Sequence, residues 1–345
     1  MDKQKIINYL QYVKYSPLPV ITKPVYQGIG VILLFHNVSP FSKSFYLKSG
    51  FYQRNITPEK LEETIKYFLR NKYRFLSLDE MLDTIPEKKS NKKFVVMTLD
   101  DGMLDNCQYA YPIFKKYEIP FGIYLPVRFI ENGEILWPIL LEKFILERNE
   151  IELTDTFGSG ISDLSTKAKK ELAFQKLLKI CEHSNEAHIL SELFKYNKWT
   201  NYNDNTRYYM NWNEVREMSG NRLCTFGSHT VNHIMLSKIS DSELEYELTE
   251  SKNIIENMIQ KPVCHLAYPF GTPIAVGERE IEFAGICGYK TAVTVRYANI
   301  HNEHAEHLLS LPRYTMKQYF NDNILDLITS GTFQFLLKKG KRLII

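Results

Sequence analysis

The chain has 345 residues, 44% of them hydrophobic and 24% charged, with a net charge of +3. That balance excludes a disordered chain and supplies enough apolar surface for a large core, as one big domain or one carrying an insertion. The small positive excess, with no run of five basic residues ahead of Lys338-Lys339-Gly340-Lys341-Arg342, argues against a nucleic-acid partner, and five scattered cysteines with no CxxC pair read as reduced intracellular thiols.

The N-terminus, Met1-Asp2-Lys3-Gln4-Lys5 followed by Ile6-Ile7-Asn8-Tyr9-Leu10, lacks an apolar core of signal-peptide length. No stretch reaches the roughly 18 apolar residues of a membrane span, so the expected compartment is the cytoplasm. The first strong strand is Val31-Ile32-Leu33-Leu34-Phe35, an unbroken apolar run ending at His36-Asn37. A helix over 58–72 follows from Thr57 as N-cap, Pro58 at the first helical position, and Leu61, Ile65, Phe68 and Leu69 at helical spacing. Ser77 with Glu80 forms a capping box for a second, short helix.

A strand over 93–99 then leads into Asp100-Asp101, a helix over 107–117 follows, and 121–127 reads as the next strand. Further strands are expected near 223–227, 263–268, 290–295 and 308–312, with a helix over 241–259 capped by Ser240 and Glu243. This alternation predicts an α/β fold whose seven or eight parallel strands close into a barrel. The segment 131–212 reads helical and polar and is too long for a crossover, so it is expected to be a helical insertion. A helical tail is expected over about 320–345.

Asp100 and Asp101 carry the first chemical signal, because two adjacent acids at a strand end are costly unless something neutralises or uses them. Asp-Asp-Gly is also a good turn and helix cap. A second motif, Ser228-His229-Thr230-Val231-Asn232-His233, follows another expected strand and sets two imidazoles four residues apart. With one of the two acids they form a two-His, one-carboxylate set that suits Zn²⁺, and also Fe, Co, Ni or Mn. A third stretch, Ala267-Tyr268-Pro269-Phe270-Gly271, ends a strand in a forced turn that could aim the Phe270 N–H at a developing oxyanion.

In this order the three stretches resemble the polysaccharide deacetylase family, the NodB-homology domains of carbohydrate esterase family 4. Thr98-Leu99-Asp100-Asp101-Gly102 is similar to that family's TFDDG motif with Leu99 for Phe, and His229-Thr230-Val231-Asn232-His233 to its H-[S/T]-x-x-H. Residues 267–271 resemble an AYPFG-like third motif, and the likeness spans roughly 30–130 and 212–315. It implies a distorted (β/α)7 barrel with Asp100 as general base and Asp101, His229 and His233 as ligands of a divalent metal. It implies metal-assisted hydrolysis of an N-acetyl group on a sugar, with Tyr268 and Pro269 in the substrate-binding stretch.

Two departures from the family pattern stand out. Ala267 occupies a slot where many members carry an Arg that orients the catalytic Asp, and no Leu-x-His motif near the end supplies a general acid. Arg313, after the last strand, is the candidate for the missing cation, and His36, in the Phe-His pair that ends the first strand, is the candidate acid. Trp212, with Tyr202, Tyr208 and Tyr209, could offer ring faces to a sugar, although core packing is the commoner explanation for most such residues. The His301, His304 and His307 group reads as a polar loop, and His183, His188 and His265 as structural.

The expected substrate is an N-acetylated sugar or glycan precursor, with lipid-linked and nucleotide-linked forms among the candidates. The expected setting is assembly of a bacterial surface glycan such as lipopolysaccharide. The apolar and basic C-terminus adds the expectation of a peripheral contact with a membrane surface. Two rival readings are a C–N hydrolase of small amides or cyclic imides, and an inactive metal-containing carbohydrate-binding module.

Overall fold

The computed structural model describes residues 12–40, 47, 54–87, 93–182, 186–200 and 207–344. Its centre is a parallel sheet of β1 (Gly30–Phe35), β5 (Phe94–Leu99), β6 (Phe121–Leu125), β9 (Cys224–Ser228), β10 (His265–Ala267), β11 (Thr291–Val293) and β12 (Tyr314–Thr315). The spatial order is β11-β10-β9-β6-β5-β1-β12, with β4 (Arg74–Leu76) added beside the first half of β5, while β2 (Asn37–Val38) and β3 (Asn55–Ile56) form a separate parallel pair. Leu311 bridges Val293 in parallel, while Tyr314 and Thr315 pair with Leu33 and Leu34. The segment 311–315 is thus the stave that closes seven strands into a barrel.

This closing stave corrects the expected strand over 308–312. Leu308–Ser310 form a 3₁₀ turn, and Pro312, which has no N–H to give a ladder, separates the Leu311 bridge from β12. The expected helix over 107–117 is also altered. Asn106–Ala110 form a wide π turn, in which the Tyr111 N–H bonds the Asn106 carbonyl five residues back, and Tyr111–Tyr117 continue as α-helix.

β1 and β5 are buried at every position, because alternate side chains enter two different cores. Val31, Leu33, Phe35, Val95, Met97 and Leu99 pack outward against the helices, whereas Ile32, Phe94 and Val96 join Tyr124, Ala267, Val293 and Leu311 in a second cluster. Four outer helices are α1 (Leu18–Tyr26), α2 (Pro58–Arg70), α3 (Leu78–Glu87) and α4 (Tyr111–Tyr117). As expected, the Thr57 side chain caps α2 by accepting from the Lys60 N–H, and Ser77 and Glu80 exchange capping bonds.

Between β6 and β9 come α5 (Val127–Asn132), α6 (Trp137–Leu146), α7 (Lys167–Glu182), α8 (Glu186–Tyr196) and α9 (Trp212–Ser219). Helices α6, α7 and α8 share a separate core that includes Phe144, Phe174, Leu177, Phe194 and Trp199. An antiparallel hairpin, β7 (Glu150–Leu153) with β8 (Gly160–Asp163), interrupts what was expected to be purely helical. Its turn, Thr154 to Ser159, is rich in turn-forming residues, a signal overlooked beside the helical pattern on either side. After β9 come α10 (Asp241–Ile259) and α11 (Glu278–Ile286), and after β12 come α12 (Asp322–Thr329) and α13 (Thr332–Leu337). Helix α10 has the expected bounds and the Ser240–Glu243 capping box.

Gly227, one residue before the end of β9, lets the barrel interior pack tightly at the point that aims the next loop. A Cβ there would come within 2.5 Å of the Tyr124 ring and 2.8 Å of the His265 carbonyl oxygen. Gly227→Ala is therefore expected to cost about 1–3 kcal/mol through overpacking, measured by urea denaturation.

Candidate metal centre

Parallel strands of a barrel deliver the residues just beyond their C-terminal ends to one mouth. His36 follows β1, Asp100 and Asp101 follow β5, His229 follows β9 and Tyr268 follows β10. Backbone bonds fix these positions: the Asp100 N–H donates to the Phe35 carbonyl at 3.0 Å, and the His229 N–H to the Leu125 carbonyl at 2.9 Å.

Asp101, His229 and His233 are all buried and offer ligand atoms within 4.8 Å of one another. The His229 and His233 Nε2 atoms lie 3.6 and 3.4 Å from Asp101 Oδ1, a buried oxygen with no hydrogen-bond partner. His229 Nδ1 is 2.6 Å from the Ala267 carbonyl oxygen. A carbonyl only accepts, so Nδ1 carries the proton and the Nε2 lone pair faces Asp101. This donor set fits a divalent cation, with positions left over for water and substrate.

Asp100 has a different partner. Arg313, fully buried, donates to both carboxylate oxygens at 2.7 and 2.8 Å, while also reaching Thr98 Oγ1 and the Thr294 carbonyl. Burial alone pushes the Asp100 carboxyl up, but the Arg313 charge, His229 and the Arg313 hydrogen bonds outweigh it and hold the group at about 2. Asp101 lacks such a fork and is raised by burial against the pull of His229 and Arg54. Burial also keeps the His233 ring well below its ordinary value. The two carboxylates thus differ in environment as well as position.

The mouth opens into a cleft of about 660 Å³ whose wall includes His36, Asp100, Asp101, His229, His233, Tyr268 and Phe270. Burial draws the His36 imidazole down to about 3, against the attraction of Asp100. Phe270 adopts a left-handed φ of +62°, and its ring packs 5.4 Å from that of His233. The Tyr268 hydroxyl is committed to the Leu309 carbonyl, so only its ring serves the wall. Pro269 and Trp212 are not brought to the cleft. Pro269 is buried with its carbonyl accepting from the Gly271 N–H, and Trp212 packs on the main core at the start of α9. Tyr202 lies outside the described residues, as does His183.

Several contributors escaped the sequence reading. Arg54, Lys238 and Lys317 place positive charge in the cleft wall, and Leu178 of α7 reaches it from the segment between β6 and β9. Glu247, buried on α10, accepts from the Val231 and Asn232 N–H groups and from the Asn232 side chain, fixing the loop between the two histidines. Its signal was present: a charged residue among Leu244, Leu248, Ser251 and Ile255 on the buried face of a helix. The polar-loop reading of His301 and His304 is corrected too, since both are buried at the opposite end of the barrel, His304 within a 3₁₀ turn.

Residues 174–291 match the profile of the polysaccharide deacetylase family, a span that contains the His229–His233 loop and the 267–271 turn but not Asp100 and Asp101. YxkH of Bacillus subtilis, a protein named after polysaccharide deacetylases, is 22% identical over 264 residues, covering 76% of this chain and 63% of its own length. The fold is shared with the Streptococcus pyogenes deacetylase PplD, solved in complex with acetate, at a TM-score of 0.58 and 19% identity over 86% of this chain and 95% of that one. IcaB from Ammonifex degensii has a TM-score of 0.54 at 16% identity, covering 88% and 97% of the two chains. Residues 174–291 are thus similar to the polysaccharide deacetylase family, and the barrel fold is shared with solved deacetylases, with the acid and histidine motifs gathered at its mouth.

Proposed function

We propose that this chain is a metal-dependent N-deacetylase that releases acetate from an N-acetylated sugar, serving assembly of a bacterial surface glycan. The observation that carries this reading is the convergence of Asp101, His229 and His233 on one point with Asp100 beside them, held by its own cation. A divalent ion held there, Zn²⁺ by the chemistry of the donors, would supply a Lewis acid that acidifies water and polarises an amide carbonyl.

The chain's own residues do the rest. Asp100 is ionised throughout the working pH range and is assigned as the group that accepts the proton of the attacking water. Arg313 fixes both carboxylate oxygens, taking the place left open at Ala267. The Phe270 N–H is assigned to the developing oxyanion. His36 enters the reaction uncharged, so its role as proton donor to the leaving amine requires it to gain that proton during the cycle. Phe270 offers the cleft an aromatic face, Tyr268 being almost wholly buried, and Arg54, Lys238 and Lys317 form a charge complement for the phosphate of a carrier-linked sugar. The helices between residues 131 and 212 are read as an insertion that shapes the cleft through Leu178.

The test is acetate release from a panel of N-acetylated sugars and their nucleotide-linked and lipid-linked forms, lost on chelation and restored by metal. Ring opening of a cyclic imide without acetate would favour the rival C–N hydrolase. Asp100→Asn is expected to lower turnover by about 10²–10⁴-fold with metal content unchanged, whereas Asp101→Ala and His229→Ala lose the metal on elemental analysis.

Arg313→Met leaves Asp100 buried without its partner. In the native protein the Asp100 pKa lies below the unfolded value of about 3.9, so its stabilisation is full above about pH 4 and fades as pH falls toward 2. In the variant, burial raises that pKa instead. The expected result is a loss of roughly 3–5 kcal/mol at pH 7 that shrinks on acidification, read by denaturant titration between pH 4 and 8. Glu247→Leu releases the loop between the histidines and is expected to weaken metal affinity about 10–100-fold, measured by competition with a chelator.

A further inference from the structure

Helix α1 is turned inside out. Its polar Thr22 is buried and bonds the Thr332 hydroxyl at 2.7 Å, while Val20 and Ile21 are 76% and 68% exposed and Val25 is 51% exposed. Tyr12 and Tyr15, just ahead of it, are about three-quarters exposed. Beside α1 lies the C-terminal segment, joined to it by the Tyr26 hydroxyl on the Gly340 carbonyl and by an edge contact between the Tyr26 and Phe335 rings. A soluble helix normally buries such an apolar stripe, so an exposed one marks a surface that something else covers.

The charge around it says what. Lys23 stands on the exposed side of α1, and Lys339, Lys341 and Arg342 are exposed on the neighbouring segment. Among the described residues, Glu303 pairs with Arg342 and Asp326 with Lys14, so the positive excess here is carried by Lys23, Lys339 and Lys341. Between the two segments opens a hollow of about 610 Å³ whose lining includes Val20, Lys23, Lys93, His301 and Arg342. His301 is 4% exposed, and its Nε2 has no protein partner. Apolar side chains ringed by cations, beside a polar hollow, are the pattern of a surface that inserts shallowly among acyl chains and attracts acidic headgroups.

We propose that this face docks the protein on a lipid bilayer containing anionic lipids, with Val20, Ile21 and Val25 entering the interface. The proposal is independent of the reaction assigned to the cleft, since α1 and the C-terminal segment lie at the opposite end of β1 from His36.

Flotation of the full chain with vesicles tests it, using phosphatidylcholine alone and phosphatidylcholine with 30% phosphatidylglycerol. Binding is expected to the acidic vesicles, weakening with salt, with little to the neutral ones. Val20→Asp/Ile21→Asp is expected to abolish binding, and Lys23, Lys339 and Lys341 each removed by →Gln to weaken it about fivefold. All these side chains are exposed, so thermal melts should match the parent. No binding to acidic vesicles, or binding that Val20→Asp/Ile21→Asp leaves intact, overturns the proposal. So does a lipid-free dimer that the same double variant dissociates, because a second copy would then be the occupant.

Discussion

Two carboxylates on consecutive residues are buried at the mouth of the barrel, where losing water and facing each other both penalise their charges, and the rest of the site can be read as the answer to that cost. Arg313 rises from the stave that closes the barrel and takes both oxygens of Asp100. Asp101 turns the other way, toward two imidazoles from the loop after β9. Dividing the pair in this manner gives neighbouring side chains of one chemical type two separate environments, which is how a protein obtains two roles from them.

The division depends on backbone conformations that ordinary residues avoid. Asp101, Thr230, His233 and Phe270 all have left-handed φ angles, at a cost of about 1–3 kcal/mol each. The surrounding framework holds them there. Glu247 clamps the loop between the histidines, Ala267 orients His229 through its carbonyl, and Leu125 and Phe35 anchor the chain at the strand ends. Helix α10 therefore serves the site from behind as well as covering the sheet.

Much of this could be read from the chain, for identifiable reasons. Asp100–Asp101 and His229–His233 are local patterns, and each follows an apolar run, so their arrival at one mouth follows from the rule for parallel strands. Arg313 was reachable only through the family resemblance, which implies an Arg where this chain has Ala267. Trp212 misled because an indole at a helix start suits a sugar-binding wall and a core equally. The stave at 311–315 was misplaced by an apolar run that Pro312 splits, a matter of hydrogen-bond geometry that composition does not carry. Arg54 and Leu178 come from segments with no periodic relation to the motifs, and only the folded chain brings them to the cleft.

The strand β1 runs from one end of the barrel to the other, with α1 before it and His36 after it. Six residues of extended chain span about 20 Å. A molecule resting on its α1 side would thus hold the histidine- and carboxylate-lined cleft uppermost, one barrel height above the headgroups, facing the aqueous phase. If the proposed deacetylase reading holds, sugars lying flat on that same leaflet would be out of reach, whereas a nucleotide-linked saccharide in solution, or one held out on a long polar carrier, would meet an open door.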